Sequence, residues 1–188
     1  PWEMLGALVG WLSAEGHGEM ALALLVMFTA YLRPSELFMP RICDFSCLKD
    51  RWLVNLAPGD TGVFTKTGLQ DEAIYLDNQL FPAMGRVLKQ HIKDLGYNLT
   101  TMRRATQSMW TFSLALFRQT VQKGAEELGL PDGFCLYMAR HGGVSADILL
   151  GYREWLESKT RGRWHSDTTH KPYCKQGLLT RYLQFCPK

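Results

Sequence analysis

Apolar residues recur every three to four positions along most of the chain, a pattern typical of amphipathic helices. The predicted helices cover residues 2–15, 18–32, 80–95, 110–128, 136–158 and 177–185. Three glycines, Gly142, Gly143 and Gly151, weaken the pattern of the fifth of these helices. The longest apolar run, MALALLVMFTAYL at 20–32, is too short to span a bilayer, so we expect a buried helix there.

Three shorter stretches are rich in strand-forming residues: RWLVNLA at 51–57, GVFTKT at 62–67 and EAIYL at 72–76. The sequences PGDTG and GLQD between them are typical of turns. This order predicts a small antiparallel meander, with Lys66 at the tip of its second hairpin. The predicted fold class is therefore α+β, mostly helical, with one small three-stranded antiparallel sheet.

A helix break is predicted at the segment YLRPSEL. Pro34 disfavours the helical conformation of Arg33, the residue before it, and suits the first turn of a new helix. Arg33 should therefore lie at the bend, and Glu36 should fall in the first turn of the helix that follows.

The composition, 46% hydrophobic and 21% charged, excludes general disorder. The net charge is only +3, but residues 151–188 hold eight Lys/Arg and three Asp/Glu, whereas residues 1–150 hold thirteen and fifteen. This asymmetry favours a polyanionic partner, nucleic acid first, although a solvated surface helix explains it equally well. Five cysteines without a regular spacing indicate free thiols in a reducing, intracellular compartment, and we expect no metal site.

Several polar residues stand out in apolar or basic surroundings. Arg140 lies among apolar neighbours in YMARHGG, where a buried guanidinium needs an anion. Residues 161–175, RGRWHSDTTHKPYCK, gather cations and Trp164 just before Tyr173. Taken singly, each has a plain structural explanation: surface arginines, a solvated lysine at a turn, or a packed tyrosine.

In their order and spacing these segments resemble the catalytic domain of the tyrosine recombinase (phage integrase) family. YLRPSEL resembles that family's first-arginine motif, TKTG its β-hairpin lysine, and YMARH its His-x-x-Arg motif followed by His. Tyr173 follows Trp164 by nine positions, the family's spacing between its His/Trp position and its nucleophile, and Thr168-Thr169 also fits. The resemblance extends from about residue 18 to residue 185.

The resemblance implies an enzyme that cleaves and rejoins DNA strands through a 3′-phosphotyrosine intermediate. It implies six catalytic residues: Arg33, Lys66, Tyr137, Arg140, Trp164 and Tyr173. Tyr173 would attack the phosphorus, the two arginines and the Trp164 indole would bind the phosphate oxygens, and Lys66 would protonate the leaving 5′ oxygen. Nearby cations should ease the ionisation of Tyr173, whose ordinary pKa is near 10.

Other residues are implied in supporting roles. Glu36 and His141 should support the catalytic groups from behind, and the expected DNA-binding residues are Arg161, Arg163, His165 and Lys171. One position departs from the family pattern: Tyr137 occupies the place of the first histidine of His-x-x-Arg. A tyrosine can donate a hydrogen bond to phosphate but cannot act as a base near neutral pH.

The resemblance also implies the partners. We expect double-stranded DNA, a homo-tetramer on paired sites, no cofactor, no metal and no membrane. Residues 177–186 have the apolar spacing of the C-terminal segment that family members exchange between neighbours, although packing back on their own domain explains that spacing equally well. The protein would act with DNA in the nucleus or the bacterial cytoplasm and nucleoid, and it would come from a mobile element. Family members carry an N-terminal DNA-binding domain without counterpart here, so we expect residues 1–188 to be a single catalytic domain and a fragment of a longer protein.

Three alternatives remain. A decayed integrase could keep the fold as a non-catalytic DNA-binding module. A type IB topoisomerase would use similar chemistry without strand exchange, and dependence on a paired second site would discriminate the two. A helical interaction domain with accidental matches is the third.

Overall fold

The computed structural model describes residues 2–49, 51–62, 72–131 and 134–164. Seven α-helices and three strands lie in this part of the chain. The helices are α1 (Trp2–Ala14), α2 (Gly18–Thr29), α3 (Pro34–Leu37), α4 (Met84–Asp94), α5 (Leu114–Glu127), α6 (Tyr137–Leu149) and α7 (Trp155–Arg161). The strands are β1 (Phe45–Leu48), β2 (Arg51–Leu56) and β3 (Glu72–Tyr75). The predicted fold class, mostly helical with a small three-stranded antiparallel sheet, is confirmed.

The helices form because their apolar stripes share one core. Leu8 and Leu12 of α1 and Leu88 of α4 are fully or almost fully buried, and nine of the twelve residues of α2 are buried. The helix α2 therefore lies at the centre, with α1, α4 and α6 packed around it. Its burial on all sides explains why its sequence is apolar almost throughout.

The sheet differs from the predicted meander in its strands. β2 pairs antiparallel with β1, with Phe45 opposite Val54, and directly with β3, with Leu53 opposite Tyr75. The sequence did not indicate β1, and the prediction that a strand at 62–67 lies between the other two is wrong. Gly62 lies in a turn with φ of +64°, and residues 63–71 are outside the described part of the chain. The error has a physical cause: alternation identifies strands but not which ones pair.

Several helix boundaries also differ from the prediction, and α4 begins at Met84 rather than residue 80. The stretch 136–158 forms two helices, α6 and α7, because Gly151 adopts a left-handed φ of +68° that ends the first. Helix α5 begins at Leu114 rather than residue 110, since the Ser113 side chain accepts a hydrogen bond from the Leu116 N–H as its N-cap. The predicted helix at 177–185 lies outside the described residues.

The contact between α2 and α6 positions the functional site. A Cβ atom at Gly143 would lie 2.1 Å from the carbonyl oxygen of Phe28, so only glycine permits this close approach. The approach brings the chain after α2 beside the start of α6 and the turn after α7. None of the helices that the structure describes is long and apolar enough to cross a membrane.

Candidate active site

The predicted helix break at Arg33 is present, and it places two site residues. Pro34 is the first residue of α3, and Arg33 is its extended N-cap with ψ of 153°. The Glu36 carboxylate reaches back to accept hydrogen bonds from the Arg33 backbone N–H (2.7 Å) and from the Arg33 side chain. Helix α2 ends slightly earlier than predicted, at Thr29, because Tyr31 has a left-handed φ of +51°.

Glu36 is the anion at the centre of an arginine cluster. Its Oε2 atom lies 2.6 Å from Nη2 of Arg163 and 3.6 Å from Nη1 of Arg140. The carboxylate is buried, and burial alone would raise its pKa. Arg163, the backbone N–H and side chain of Arg33, and Arg140 together hold the pKa of Glu36 below its usual range. The carboxylate therefore stays ionised at neutral pH.

Arg140, on α6, has no exposed surface. It donates hydrogen bonds to the carbonyl oxygens of Tyr31 and, at 2.5 Å, of Gly162. Its guanidinium carbon lies 4.5 Å from the centre of the Trp164 ring, a cation–π contact. Burial, and then the charges of Arg163 and Arg33, lower the pKa of Arg140, yet a guanidinium remains charged at neutral pH.

The turn after α7 folds Trp164 over this cluster. Arg163 has a left-handed φ of +58°, and a Cβ atom at Gly162 would lie 1.5 Å from the Trp164 ring. Only glycine at 162 therefore allows the indole to pack back onto the site. Trp164 is 6% exposed and forms a small buried cluster with Tyr31 and Val144.

Tyr137 and His141 lie one helical turn apart on α6. Their ring centres are 5.0 Å apart with the rings nearly edge to face, and Tyr137 packs against the Trp164 cluster. Burial and the charge of Arg140 lower the pKa of His141 to about 4, so its imidazole is neutral at pH 7.

Arg161 occupies a different position from the other arginines. It donates to the carbonyl oxygens of Thr29 (2.9 Å) and Tyr75 (2.5 Å), lies 3.1 Å from Asp77, and stacks over the Tyr31 ring. Arg161 thus ties the end of α7 to α2 and β3. That Arg161 and Arg163 bind DNA stays a prediction, and both guanidiniums already contact protein groups.

Four predicted site residues lie outside the described part of the chain: Lys66, His165, Lys171 and Tyr173. The fold brings together Arg33, Glu36, Tyr137, Arg140, His141, Arg163 and Trp164. Within the described ranges, no group of three or more His, Cys, Asp or Glu side chains is placed to hold a metal ion.

The backbone acceptors of the site could not be predicted from the sequence. The carbonyl oxygens of Tyr31 and Gly162 hold Arg140, and backbone oxygens leave no signature in a sequence. Glu72 of β3 was not predicted as a site residue either, although its Oε2 lies 3.6 Å from Nε of Arg163. The excess of arginines was the sequence feature that could have indicated Glu72, since buried guanidiniums require carboxylates nearby.

The cluster retains capacity for an anion. Three guanidiniums, those of Arg33, Arg140 and Arg163, face two carboxylates, Glu36 and Glu72. The Nε atoms of Arg140 and Arg163 are buried and have no hydrogen-bond partner among the described residues. A phosphate-like group would supply both the missing charge and the missing acceptors.

No protein-family model matches the sequence, and no curated protein matches it. Solved structures do match the fold. XerA recombinase has a TM-score of 0.67 at 14% identity, covering 100% of this chain and 65% of that chain. XerH site-specific recombinase bound to its difH substrate before cleavage has a TM-score of 0.64 at 14% identity, covering 97% and 52%. Its complex with palindromic difH after cleavage has a TM-score of 0.63 at 14% identity, covering 97% and 51%.

The chain therefore spans about half to two thirds of the length of these recombinases. Structural likeness at 14% identity shows the fold: this chain has the fold of the tyrosine recombinase catalytic domain.

Proposed function

We propose that this chain is the catalytic domain of a site-specific DNA recombinase that cleaves and rejoins strands through a 3′-phosphotyrosine at Tyr173. The observation that carries the proposal is the cluster of Arg33, Arg140 and Trp164, drawn from three distant segments of a recombinase fold. Its net positive charge, and the buried Nε of Arg140 without a hydrogen-bond partner among the described residues, suit a phosphodiester.

The proposed step balances without a co-reactant. The Tyr173 hydroxyl loses its proton to water, and its oxygen forms a bond to phosphorus while the bond from phosphorus to the 5′ oxygen breaks. Lys66 gives the departing 5′ oxygen its proton. Arg33 and Arg140 would bind the non-bridging oxygens, with the Trp164 N–H as a further donor. Because one phosphate ester replaces another, the bond energy is kept for rejoining, and the step needs no nucleotide cofactor.

The wider setting is part of the same proposal. The chain would act on double-stranded DNA inside the cell, as a homo-tetramer on paired sites, and it would derive from a mobile element. The structures of XerH bound to its difH substrate support the DNA partner by analogy. Cleavage that depends on a paired second site would favour a recombinase, whereas relaxation of supercoils at single sites would favour a type IB topoisomerase.

One observation favours a second candidate, a DNA-binding module without catalysis. Arg140 has no exposed surface and is bonded to two carbonyl oxygens. A phosphate could reach this guanidinium only after a neighbouring group moves aside. A decayed enzyme that keeps Arg140 as a structural residue would show the same contacts.

Covalent trapping discriminates the two. The chain is incubated with nicked duplexes of randomised sequence in the presence of a metal chelator, and adducts that resist denaturation are mapped by mass spectrometry. An adduct at Tyr173 that is lost in Tyr173→Phe and kept in the control Tyr152→Phe supports the recombinase. An adduct at another residue, or one retained in Tyr173→Phe, contradicts the assignment of the nucleophile.

If no adduct forms, one further experiment is needed, because a catalytic domain can require a second DNA-binding domain for cleavage. The chain is then fused to the N-terminal domain of a recombinase of known site and tested on that site. DNA binding without an adduct in the fusion would establish the non-catalytic module.

A further inference from the structure

A second buried network lies beside the arginine cluster and involves a carboxylate that the proposed mechanism does not use. Asp147 lies on α6, seven residues after Arg140, and is 1% exposed. The Tyr31 hydroxyl donates a hydrogen bond of 2.5 Å to its Oδ2 atom. Asn78 Nδ2 donates to Oδ1 at 2.8 Å, and Arg153 Nε donates to Oδ2 at 2.9 Å. Both carboxylate oxygens therefore accept hydrogen bonds from described residues, Oδ1 from one donor and Oδ2 from two.

Tyr31 links this network to the arginine cluster. Its side chain ends on Asp147, while its carbonyl oxygen accepts from Nη1 of Arg140 and, at 3.5 Å, from Nη2 of Arg163. The residue is fully buried. Burial and then Asp147 raise the pKa of Tyr31 well above its usual range, so its hydroxyl stays protonated and remains a donor.

The backbone of Tyr31 is held in a conformation that it would not adopt alone. Its φ of +51° is left-handed, which an aromatic residue tolerates only when its surroundings impose it. The surroundings are the ring packing against Val144 and Trp164 and the hydrogen bond to Asp147. Releasing the hydroxyl would loosen the constraint on the ring, and with it the direction of the carbonyl group.

We propose that Asp147 and Tyr31 form a positioning pair: Asp147 fixes the Tyr31 side chain, and the Tyr31 carbonyl in turn orients Arg140 and Arg163. The inference rests on the proposed function only in taking these arginines as the phosphate-binding groups. Neither Tyr31 nor Asp147 would touch the substrate, because both act through the arginines.

The first test measures the mobility of the Arg140 side chain. Tyr31→Phe keeps the ring and removes the hydroxyl, and Asp147→Ala removes the acceptor, whereas Asp147→Asn keeps an acceptor oxygen for Tyr31. Thr120→Val is the matched control, because it removes a buried hydroxyl that donates to Leu116 O within α5. NMR of the ¹⁵N-labelled arginine side chains, with Arg140 assigned through Arg140→Lys, measures the rotation of its guanidinium.

We expect rotation of the Arg140 guanidinium to become roughly 10-fold faster in Tyr31→Phe and Asp147→Ala, with a smaller change in Asp147→Asn and none in Thr120→Val. Urea unfolding of all four variants shows which remain folded. If a folded Tyr31→Phe variant leaves the Arg140 guanidinium as immobile as in the parent chain, the positioning proposal is wrong. Should Tyr31→Phe not fold, Asp147→Asn and Asp147→Ala are compared in the same way.

The second test uses covalent trapping at saturating DNA. A positioning role predicts that Tyr31→Phe slows adduct formation by about 10-fold or more while the affinity for uncleavable DNA changes by less than about 2-fold. A loss confined to affinity, or a loss equal to that of Thr120→Val, would contradict the proposal. If the parent chain forms no adduct, the proposed function fails, but the NMR result still decides whether Asp147 and Tyr31 position Arg140.

Discussion

At the scale of single residues, Arg140 is both the predicted phosphate ligand and the most buried charged residue in the described part of the chain. Its guanidinium joins α6, the chain after α2 and the turn after α7 through Glu36 and the carbonyls of Tyr31 and Gly162. The same contacts that would present it to a phosphate also stabilise the fold. Stability and activity are therefore expected to fall together when it is removed.

Arg140→Ala should lower the free energy of unfolding by about 3 kcal/mol, because it removes one cation from the buried Glu36 carboxylate and a buried hydrogen-bond donor from each of the Tyr31 and Gly162 carbonyls. Urea denaturation measures the change. Arg33→Ala is the comparison, since Arg33 pairs with the same carboxylate but is partly exposed, and it should cost about 1 kcal/mol. Equal losses in the two variants would show that the burial of Arg140 adds nothing to its structural role.

His141 predicts a specific dependence of stability on pH. Its pKa is lowered from the model-peptide value of 6.5 to about 4, so the unfolded chain binds the proton more tightly than the folded one. The stability that the neutral His141 side chain contributes is therefore fully present above pH 6.5 and is lost as the pH falls towards 4. Between pH 7.5 and pH 5 the loss due to this residue should be about 2 kcal/mol.

The measurement is urea unfolding at those two pH values for the parent chain and His141→Gln, which cannot titrate. The parent chain should lose more stability than the variant by the stated amount. Glu36 does not contribute in this window, because its pKa is held below the usual carboxyl range. The same loss in both proteins would mean that His141 does not titrate as its burial requires.

At the scale of elements, the contact between α2 and α6 sets the geometry of the site. Gly143 lies against the Phe28 carbonyl at the end of α2, directly before the segment that carries Tyr31 and Arg33. Any increase in the spacing of these helices would move Arg140 away from its carbonyl partners. The helix pair acts as the frame on which the arginines are arranged.

Gly143→Ala should therefore lower the free energy of unfolding by about 2–3 kcal/mol, because the new methyl group would overlap a backbone oxygen that cannot move freely. Gly10→Ala on α1 is the control: nothing lies within 4 Å of its Cβ position, and it should stabilise the protein by about 0.5–1 kcal/mol. Thermal and urea unfolding check both. A neutral or stabilising Gly143→Ala would show that the two helices can separate without cost.

At the scale of the whole molecule, one apolar core connects α1, α2, the sheet, α4 and α5. Helix α1 does not contribute a side chain to the arginine cluster, yet it packs against α2 and α5. We therefore expect the described elements to unfold together, with the arginine cluster lost in the same transition as the distant core.

Leu8→Ala tests this, because Leu8 is fully buried on α1. It should cost about 3 kcal/mol and shift the unfolding curves from far-ultraviolet circular dichroism and tryptophan fluorescence by the same amount. The matched exposed variant, Leu116→Ala on α5, should change stability by less than about 0.5 kcal/mol. Two separate transitions would show that α1 and the site belong to different cooperative units.

Features that depend on near neighbours in the chain could be predicted from the sequence. The helical content follows from apolar spacing, the bend at Arg33 follows from the steric effect of Pro34, and the N-cap reach of Glu36 follows from its place three residues later. These signals act over a few residues, so a single sequence contains them in full. The order of the motifs, compared with a known family, also indicated the fold that the solved structures share.

Features that depend on groups far apart in the chain became visible only in the folded structure. The pairing of β2 with β3, the two carbonyls that hold Arg140, and the hydrogen bond from Tyr31 to Asp147 join residues 16 to 116 positions apart. Strand partners are set by packing and not by local propensity, and a backbone oxygen is the same in every residue. The sequence could therefore name the arginines, whereas the groups that orient them became visible only when the helices were packed.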